Sequence, residues 1–498
     1  MSITRIHQLV AQHLEIRPDE PAIKDCDGQV YSWAGYSVLI DEAEALLRKH
    51  GAASGERVLV VAENCLALPV LMMAASRIGA WCVPVNARMS AAEIARISNH
   101  ARPVVTLYTS HISKEAAAHA GAAAFRTTGF GALQIAPGTP DAEPVDEGKD
   151  ATAILLYTTG TTGDPKGVML THSNLIFAAR ASAELRDLSP RDHVYGALPL
   201  THVFGVASML MASAHAGAMV ELSTRFDPKQ LLLALSNGTT VMPAVPQMHA
   251  LLMAQAKAEG QALLGSDTLR YVSSGAAPLD PAWKRNAEAF YGLPLQNGYG
   301  MTESTAGISG TRNAIGDPDT SAGPPLPGIE ISLDLSLGED PDVGEVLTRG
   351  PHVMKGYFRS PEATAAAITP DGWLRTGDLG RIDPDGRLHI VGRAKELIIR
   401  SGFNVYPPEV EAALNDHPEV VQSAVIGRTI DGDEQVLAFV QAHAPGAVSE
   451  EDLRAFVSDR LAGYKRPSHI LLVDALPAAA TGKILKHHLL KHFADLLD

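Results

Sequence analysis

At 498 residues the chain is too long for one ordinary compact core, so two or more domains are expected. With 46% hydrophobic and 19% charged residues, its composition is that of a globular protein rather than a disordered one. A formal charge of −15 with no Lys/Arg run counts against nucleic acid as a partner, and any polyanionic ligand must be held by a local site.

Taken in chain order, the N-terminus carries Arg5, Glu15, Arg17, Asp19 and Glu20, which leaves no apolar stretch for a secretion signal, so the cytoplasm is expected. Cys26, Cys65 and Cys82 are scattered without Cys-x-x-Cys spacing, against a disulfide framework or a structural zinc site. Arg57 to Ala62 reads as a buried strand, and Leu68 to Gly79 as an apolar helix with Pro69 in its first turn. A strand follows around Trp81 to Val85, and the same rhythm recurs at Ile154–Tyr157, Met219–Leu222 and Leu269–Ser273. This alternation predicts parallel sheets covered by helices. The Gly/Ala/Pro-rich stretch from about Ala118 to Asp150 reads as a surface excursion between two lobes. From His193 to Val220 there is no Asp, Glu, Lys or Arg, a length that could span a bilayer; Pro199, the glycines and the three histidines favour a strand, a loop and a buried helix instead. Pro324, Pro325, Pro327 and Gly328 open a small β-rich subdomain. Beyond Gly392 come a helix at Glu409–Leu414, strands at Val420–Ile426 and Val436–Gln441, and a helix at Glu450–Leu461, a compact α+β unit with its boundary close to Lys395.

The segment from Tyr157 to Val168 follows a strand and gathers Thr158, Thr159, Gly160, Thr161, Thr162, Gly163 and Lys166. Glycines let backbone N–H groups approach an anion, hydroxyls donate to phosphate oxygens, and lysine adds a point charge. No Gly-Lys-Ser/Thr follows at Walker A spacing, so the loop binds phosphate in another way.

This loop resembles the signature of the acyl-adenylate-forming superfamily, with Thr158-Thr159-Gly160 where Thr-Ser-Gly is usual. Further family motifs follow in order. The resemblance implies an α/β fold with a large N-terminal domain (residues 1–392) of two α/β lobes plus a β-barrel subdomain. A small mobile α+β C-terminal domain (393–498) follows, hinged near Lys395. In the motif from Asn297 to Ser304, with Gly298, Gly300 and Met301, Tyr299 is expected to stack on adenine, Thr302 to touch the α-phosphate and Glu303 to hold Mg²⁺. Mg²⁺ takes one or two carboxylates plus phosphate oxygens, which suits a single Glu. Ser274 to Pro278, with Gly275, Ala276 and Ala277, resembles the turn lining the adenine pocket. Asp378 and Arg393 are expected at the ribose, an ionised carboxylate being a multiple acceptor for vicinal hydroxyls. Ser401 and Gly402 resemble residues at the pantetheine tunnel. Lys483 matches the adenylation lysine that bridges substrate carboxylate and α-phosphate.

The resemblance thus implies an ATP-dependent carboxylic acid–CoA ligase using ATP, Mg²⁺ and coenzyme A, with Lys483, Glu303, Thr158 and Lys166 in the catalytic roles. A free-standing adenylation enzyme serving a carrier protein and a luciferase-like oxygenase stay as alternatives. His202 resembles the position that gates the acyl pocket, and Val203, Val206, Met209, Met242, Val245 and Met248 make its surroundings apolar. Gly298 stands where relatives that take malonate have arginine, so an apolar fatty or aromatic monocarboxylic acid is expected. Pro477, four residues, Gly482 and Lys483 resemble the segment that lysine acetyltransferases recognise in bacterial acyl-CoA synthetases, with a deacetylase as the reversing partner. A homodimer is a further expectation.

Overall fold

The computed structural model describes residues 3–145, 148–159, 165–276, 279–337, 340–400, 403–430, 433–478 and 484–497. Two eight-stranded sheets carry the larger part of the chain. The first runs, edge to edge, Ala306–Gly310, Leu295–Met301, Tyr271–Gly275, Val241–Ala244, His193–Gly196, Met219–Leu222, Pro21–Lys24 and Val30–Ser32. The second runs Gly356–Tyr357, Pro165–Thr171, Thr152–Thr159, Trp81–Asn86, Arg57–Ala62, Val105–Tyr108, Gly131–Pro137 and Ala124–Thr128. Their central ladders are parallel and their edges antiparallel, and one continuous apolar core lies between them. The chain starts in the first sheet, builds most of the second, and returns to the first.

Local sequence explains the elements that cover these sheets. Helix Ala67–Ile78 is apolar on nearly every side and is therefore buried at all positions but Arg77, and Gly79 ends it in the left-handed region at φ 81°. Helix Ala91–Ala101 begins at a Ser90–Glu93 capping box, and helix His172–Leu185 at the hydroxyl of Thr171.

Three readings of the sequence are changed or sharpened. The 118–150 stretch is no mere excursion: it contributes the hairpin Ala124–Thr128/Gly131–Pro137, which pairs with Val105–Tyr108 and closes a sheet edge. Leu133 and Ile135 are buried there, and the buried Gln134 amide donates to the Gly121 and Ala123 carbonyls. The strand expected at Leu269–Ser273 lies two residues later, at Tyr271–Gly275, because Arg270 is drawn out to pair with Asp192 at 2.8 Å. The uncharged stretch is a strand (His193–Gly196), a loop, a π-helix (Phe204–Met211) and a short α-helix (Ala212–Ala216). Among the described residues no helix is long and apolar enough to cross a membrane.

The β unit after residue 320 is a four-stranded antiparallel sheet in the order Glu330–Asp334, Gly344–Arg349, Leu374–Ile382, Leu388–Arg393. The C-terminal part has a three-stranded sheet, Val420–Ile430, Asp433–Ala442 and His469–Val473, with helices Pro407–Asn415 and Glu450–Ser458 over a separate apolar cluster.

Candidate active site

Strands Val241–Ala244, Tyr271–Gly275 and Leu295–Met301 run parallel, the last extending beyond the other two, and the crevice beyond such ends is where open α/β sheets bind ligands. The Asn297–Ser304 motif leaves the sheet there through a 3₁₀ turn, Thr302–Ser304, and returns as the antiparallel strand Ala306–Gly310. Thr305 (φ 49°) and Ala306 (φ 82°) both take the left-handed region that side chains avoid. The Thr305 hydroxyl donates to the His352 carbonyl at 2.7 Å and the Ser304 hydroxyl to the Ala306 carbonyl at 2.9 Å, so the surroundings hold the strained turn. At Gly300 a Cβ would sit 1.6 Å from the Ala306 carbonyl oxygen, which only glycine avoids.

Residues of three sequence motifs meet beside this turn. The Tyr299 hydroxyl donates to Asp378 Oδ2 at 2.6 Å, and Arg393 Nε lies 3.0 Å from Asp378 Oδ1. Asp378 and Arg393 face each other across neighbouring strands, and the Thr376 hydroxyl fixes the Asp378 backbone N–H at 3.1 Å. Burial, reinforced by the Asp378 charge, holds the Tyr299 phenol well above its ordinary range, so it remains a donor. Asp378 is buried and retains acceptor capacity beyond these two bonds. Asn297 donates its Nδ2–H to the Ser321 carbonyl at 2.9 Å. Its Oδ1 and the Ser274 hydroxyl are buried without a partner among the described residues, polar atoms that a bound base could satisfy.

At the loop expected to bind phosphate, Thr158 and Lys166 are register partners in the hairpin formed by Thr152–Thr159 and Pro165–Thr171, and Thr159 pairs with Pro165. Gly160, Thr161, Thr162, Gly163, Ala277, Ser401, Gly402 and Lys483 lie outside the described residues. Lys166 Nζ stands 5.0 Å from the Tyr357 ring centroid, and the Tyr357 hydroxyl donates to Glu303 Oε1 at 2.9 Å. Thr302 and Glu303 are each 8% exposed. Among the described residues no group of three or more His, Cys, Asp or Glu gathers to cage a metal. One buried carboxylate with an oxygen to spare fits a Mg²⁺ held mainly by phosphate and water.

Around the expected acyl pocket, Asn64 fixes the loop before His202: its amide donates to the Gly196 and Leu198 carbonyls (3.1 and 2.9 Å), and its Oδ1 accepts the Leu200 N–H at 2.8 Å. His202 Nδ1 accepts the Phe204 N–H at 3.3 Å, where the π-helix begins. Such bulges recur at functional sites. The Phe204 ring then covers Gly275, where a Cβ would come within 3.1 Å of it. Val203, Val206, Met209, Met242, Val245 and Met248 are all buried in this region of the core. Behind it the fully buried His249 lies 3.2 Å from the Ser273 carbonyl and 2.8 Å from the Tyr291 hydroxyl. A carbonyl can only accept, so Nε2 carries the proton and Nδ1 accepts from Tyr291. Burial lowers this imidazole to about 4, partly opposed by the Ser273 bond, and keeps it neutral.

Lys395 lies in the 3₁₀ turn Ala394–Glu396 between the four-stranded sheet and strand Ile398–Arg400. Lys486 bridges Glu396 (3.5 Å) and Glu411 (2.7 Å), tying the far end of that turn to the C-terminal part. Reading the sequence missed Asn64, Phe204, His249 and Tyr357. Phe204 lies two residues after His202, the one local signal among them; the others carry none.

Residues 10–358 match the model for AMP-binding enzymes, and 409–483 that for the AMP-binding enzyme C-terminal domain. The chain belongs to the AMP-binding enzyme family. It is 33% identical to 4-coumarate–CoA ligase 5 of Oryza sativa subsp. japonica, over 97% of this chain and 94% of that protein. It is 34% identical to a feruloyl-CoA synthase of an Amycolatopsis species, over 90% and 91%. O-succinylbenzoate coenzyme A synthetase from Bacillus subtilis, solved with ATP and a magnesium ion, superimposes with a TM-score of 0.82 at 29% identity, covering 97% of this chain and 98% of that one. The two matched segments leave 359–408 between them, and Asp378, Arg393 and Lys395 all fall there.

Proposed function

We propose that this member of the AMP-binding family activates an aromatic monocarboxylic acid of the hydroxycinnamate type. The enzyme is an AMP-forming acid–CoA ligase that uses ATP, Mg²⁺ and coenzyme A. The single observation that carries the site assignment is the convergence of Tyr299, Asp378 and Arg393 from three separate motifs. The aromatic choice rests on the apolar wall from Val203 to Met248 and on relatives named for coumarate and ferulate. Gly298 offers no charge for a second carboxylate.

In the first half-reaction an oxygen of the substrate carboxylate attacks the α-phosphorus of ATP. The bond from that phosphorus to the bridging oxygen breaks, and pyrophosphate leaves. Tyr299 flanks the adenine, while Asp378 and Arg393 hold the ribose. Thr158, Lys166 and the loop between them carry the β- and γ-phosphates, and Thr302 lies at the α-phosphate. Lys483 bridges the two reacting anions and offsets their repulsion. Mg²⁺, held by Glu303 and phosphate oxygens, would supply charge neutralisation of the leaving group. In the second half-reaction the CoA thiolate attacks the acyl carbon and the carbon–oxygen bond to AMP breaks. The C-terminal domain, from residue 393, turns about Lys395 between the two, replacing Lys483 by the face around Gly402.

A cytoplasmic setting is part of this proposal: Cys26, Cys65 and Cys82 are all unpaired, and burial pushes the Cys82 thiol up to about 12, leaving it inert. The test is pyrophosphate release from ATP with a panel of acids, followed by thioester detection on adding CoA. 4-Coumarate and ferulate should lead and yield thioesters. Preference for octanoate overturns the aromatic choice; pyrophosphate release without CoA-dependent AMP release overturns the ligase.

A further inference from the structure

Tyr357 belongs to none of the motifs that mark the nucleotide site, yet it stands between its two charged ends. Its hydroxyl donates to Glu303 Oε1 at 2.9 Å, and its ring faces the Lys166 ammonium at 5.0 Å. Oε1 is thereby committed, and no described residue donates to Oε2. A lone carboxylate on a short turn could swing between rotamers; a hydrogen bond to one oxygen fixes its plane and presents the other as a ligand.

The segment carrying Tyr357 is itself over-anchored. Gly356 and Tyr357 pair with Met169 and Val168 at the edge of the second sheet, directly after the phosphate loop. The Phe358 N–H donates to the Gly167 carbonyl at 2.7 Å, and the Tyr357 N–H to Thr364 Oγ1 at 2.9 Å. The Met354 N–H donates to the Glu303 carbonyl at 2.9 Å. Asn174 donates to the Pro351 and Val353 carbonyls at 2.8 and 2.9 Å. One strap thus clips the phosphate hairpin of one lobe to the Glu303 turn of the other.

We propose that Tyr357 is a positioning residue for the nucleotide's divalent cation: its hydroxyl orients Glu303 so that Oε2 serves as a monodentate ligand, and its ring sets the distance between Glu303 and Lys166. The proposal rests on the reading of Glu303 as the metal-holding residue. An ordinary packed tyrosine would share the burial but would not act through Glu303.

The test uses the full chain with α,β-methylene-ATP, whose α–β link resists cleavage, and Mn²⁺ as the probe. Free Mn²⁺ is followed by electron paramagnetic resonance. Tyr357→Phe and Tyr357→Leu both remove the donor, so whichever folds by circular dichroism serves. Each should weaken nucleotide-dependent Mn²⁺ binding by roughly 10-fold or more, the usual loss when an outer partner of a ligand is removed. The Mg²⁺ concentration for half-maximal pyrophosphate release should rise in step, with the KM for CoA unchanged. Glu303→Gln should weaken Mn²⁺ binding as well, and adding Tyr357→Phe to it should cost less than about twofold more, because the two act as one unit. Wild-type Mn²⁺ binding in the tyrosine variants beside a weakened Glu303→Gln overturns the proposal and leaves Glu303 as the ligand. An undiminished tyrosine effect in the Glu303→Gln background overturns it too. Wild-type binding in Glu303→Gln removes the metal reading and this inference with it.

Discussion

Asp378→Asn is the most incisive change to the nucleotide site. The carboxylate has about four lone-pair positions. Tyr299 takes one at 2.6 Å and Arg393 another at 3.0 Å, which leaves room for both ribose hydroxyls. Asparagine keeps the shape but turns one oxygen into a donor and removes the charge. A hydrogen bond to a charged group contributes about 1.5–3 kcal/mol net, so losing one ribose contact should weaken nucleotide binding roughly 10- to 100-fold. The assay is calorimetry with α,β-methylene-ATP and its 2′-deoxy and 3′-deoxy counterparts. Wild type should lose about tenfold or more on deletion of a sugar hydroxyl, whereas Asp378→Asn should separate the sugars by less than about threefold. A ribose-to-deoxyribose ratio unchanged by the substitution would refute the ribose assignment, whatever the absolute affinities.

Lys483→Ala should slow acyl-adenylate formation by roughly 10²- to 10³-fold while thioester formation from supplied acyl-AMP stays near normal; equal loss in both half-reactions, read by quenched flow, ends the alternation model. Acetylation of Lys483, followed by mass spectrometry against activity, should act like that alanine because it removes the same charge. Gly402→Leu should do the reverse, with acyl-AMP forming normally and accumulating; unimpaired CoA turnover rejects a tunnel at that position. Acid should destabilise the fold through three buried imidazoles: burial lowers His172 to about 3, and His249 and His352 to about 4. Below about pH 6.5 the unfolded chain takes up protons that the native chain refuses, so stability is full above that pH and falls towards pH 4. The slope is about 1.4 kcal/mol per pH unit for each histidine. Urea midpoints between pH 7 and 4.5 should show it, with a shallower slope in His249→Gln; a flat profile contradicts it.

Sequence alone determined what depends on contiguous residues. The strand Arg57–Ala62 and the helix read over Leu68 to Gly79, found at Ala67–Ile78, are legible because a largely apolar run must be buried on nearly every side. The Tyr157–Val168 segment and the Asn297–Ser304 turn stand out as candidate sites because glycines, hydroxyls and charges crowd within a few positions. Tertiary structure decided whatever depends on partners far along the chain. The 124–137 hairpin looks like weak Gly/Ala patterning until Val105–Tyr108 supplies its hydrogen bonds. Asn64 acquires meaning only when the loop before His202, some 134 residues on, folds over it. Tyr299 and Asp378 are 79 residues apart, and Tyr357 and Glu303 are 54 apart. A motif announces which atoms carry charge; the direction in which a carboxylate points is fixed by a donor that no local pattern brings near, because folding alone closes the loops between them.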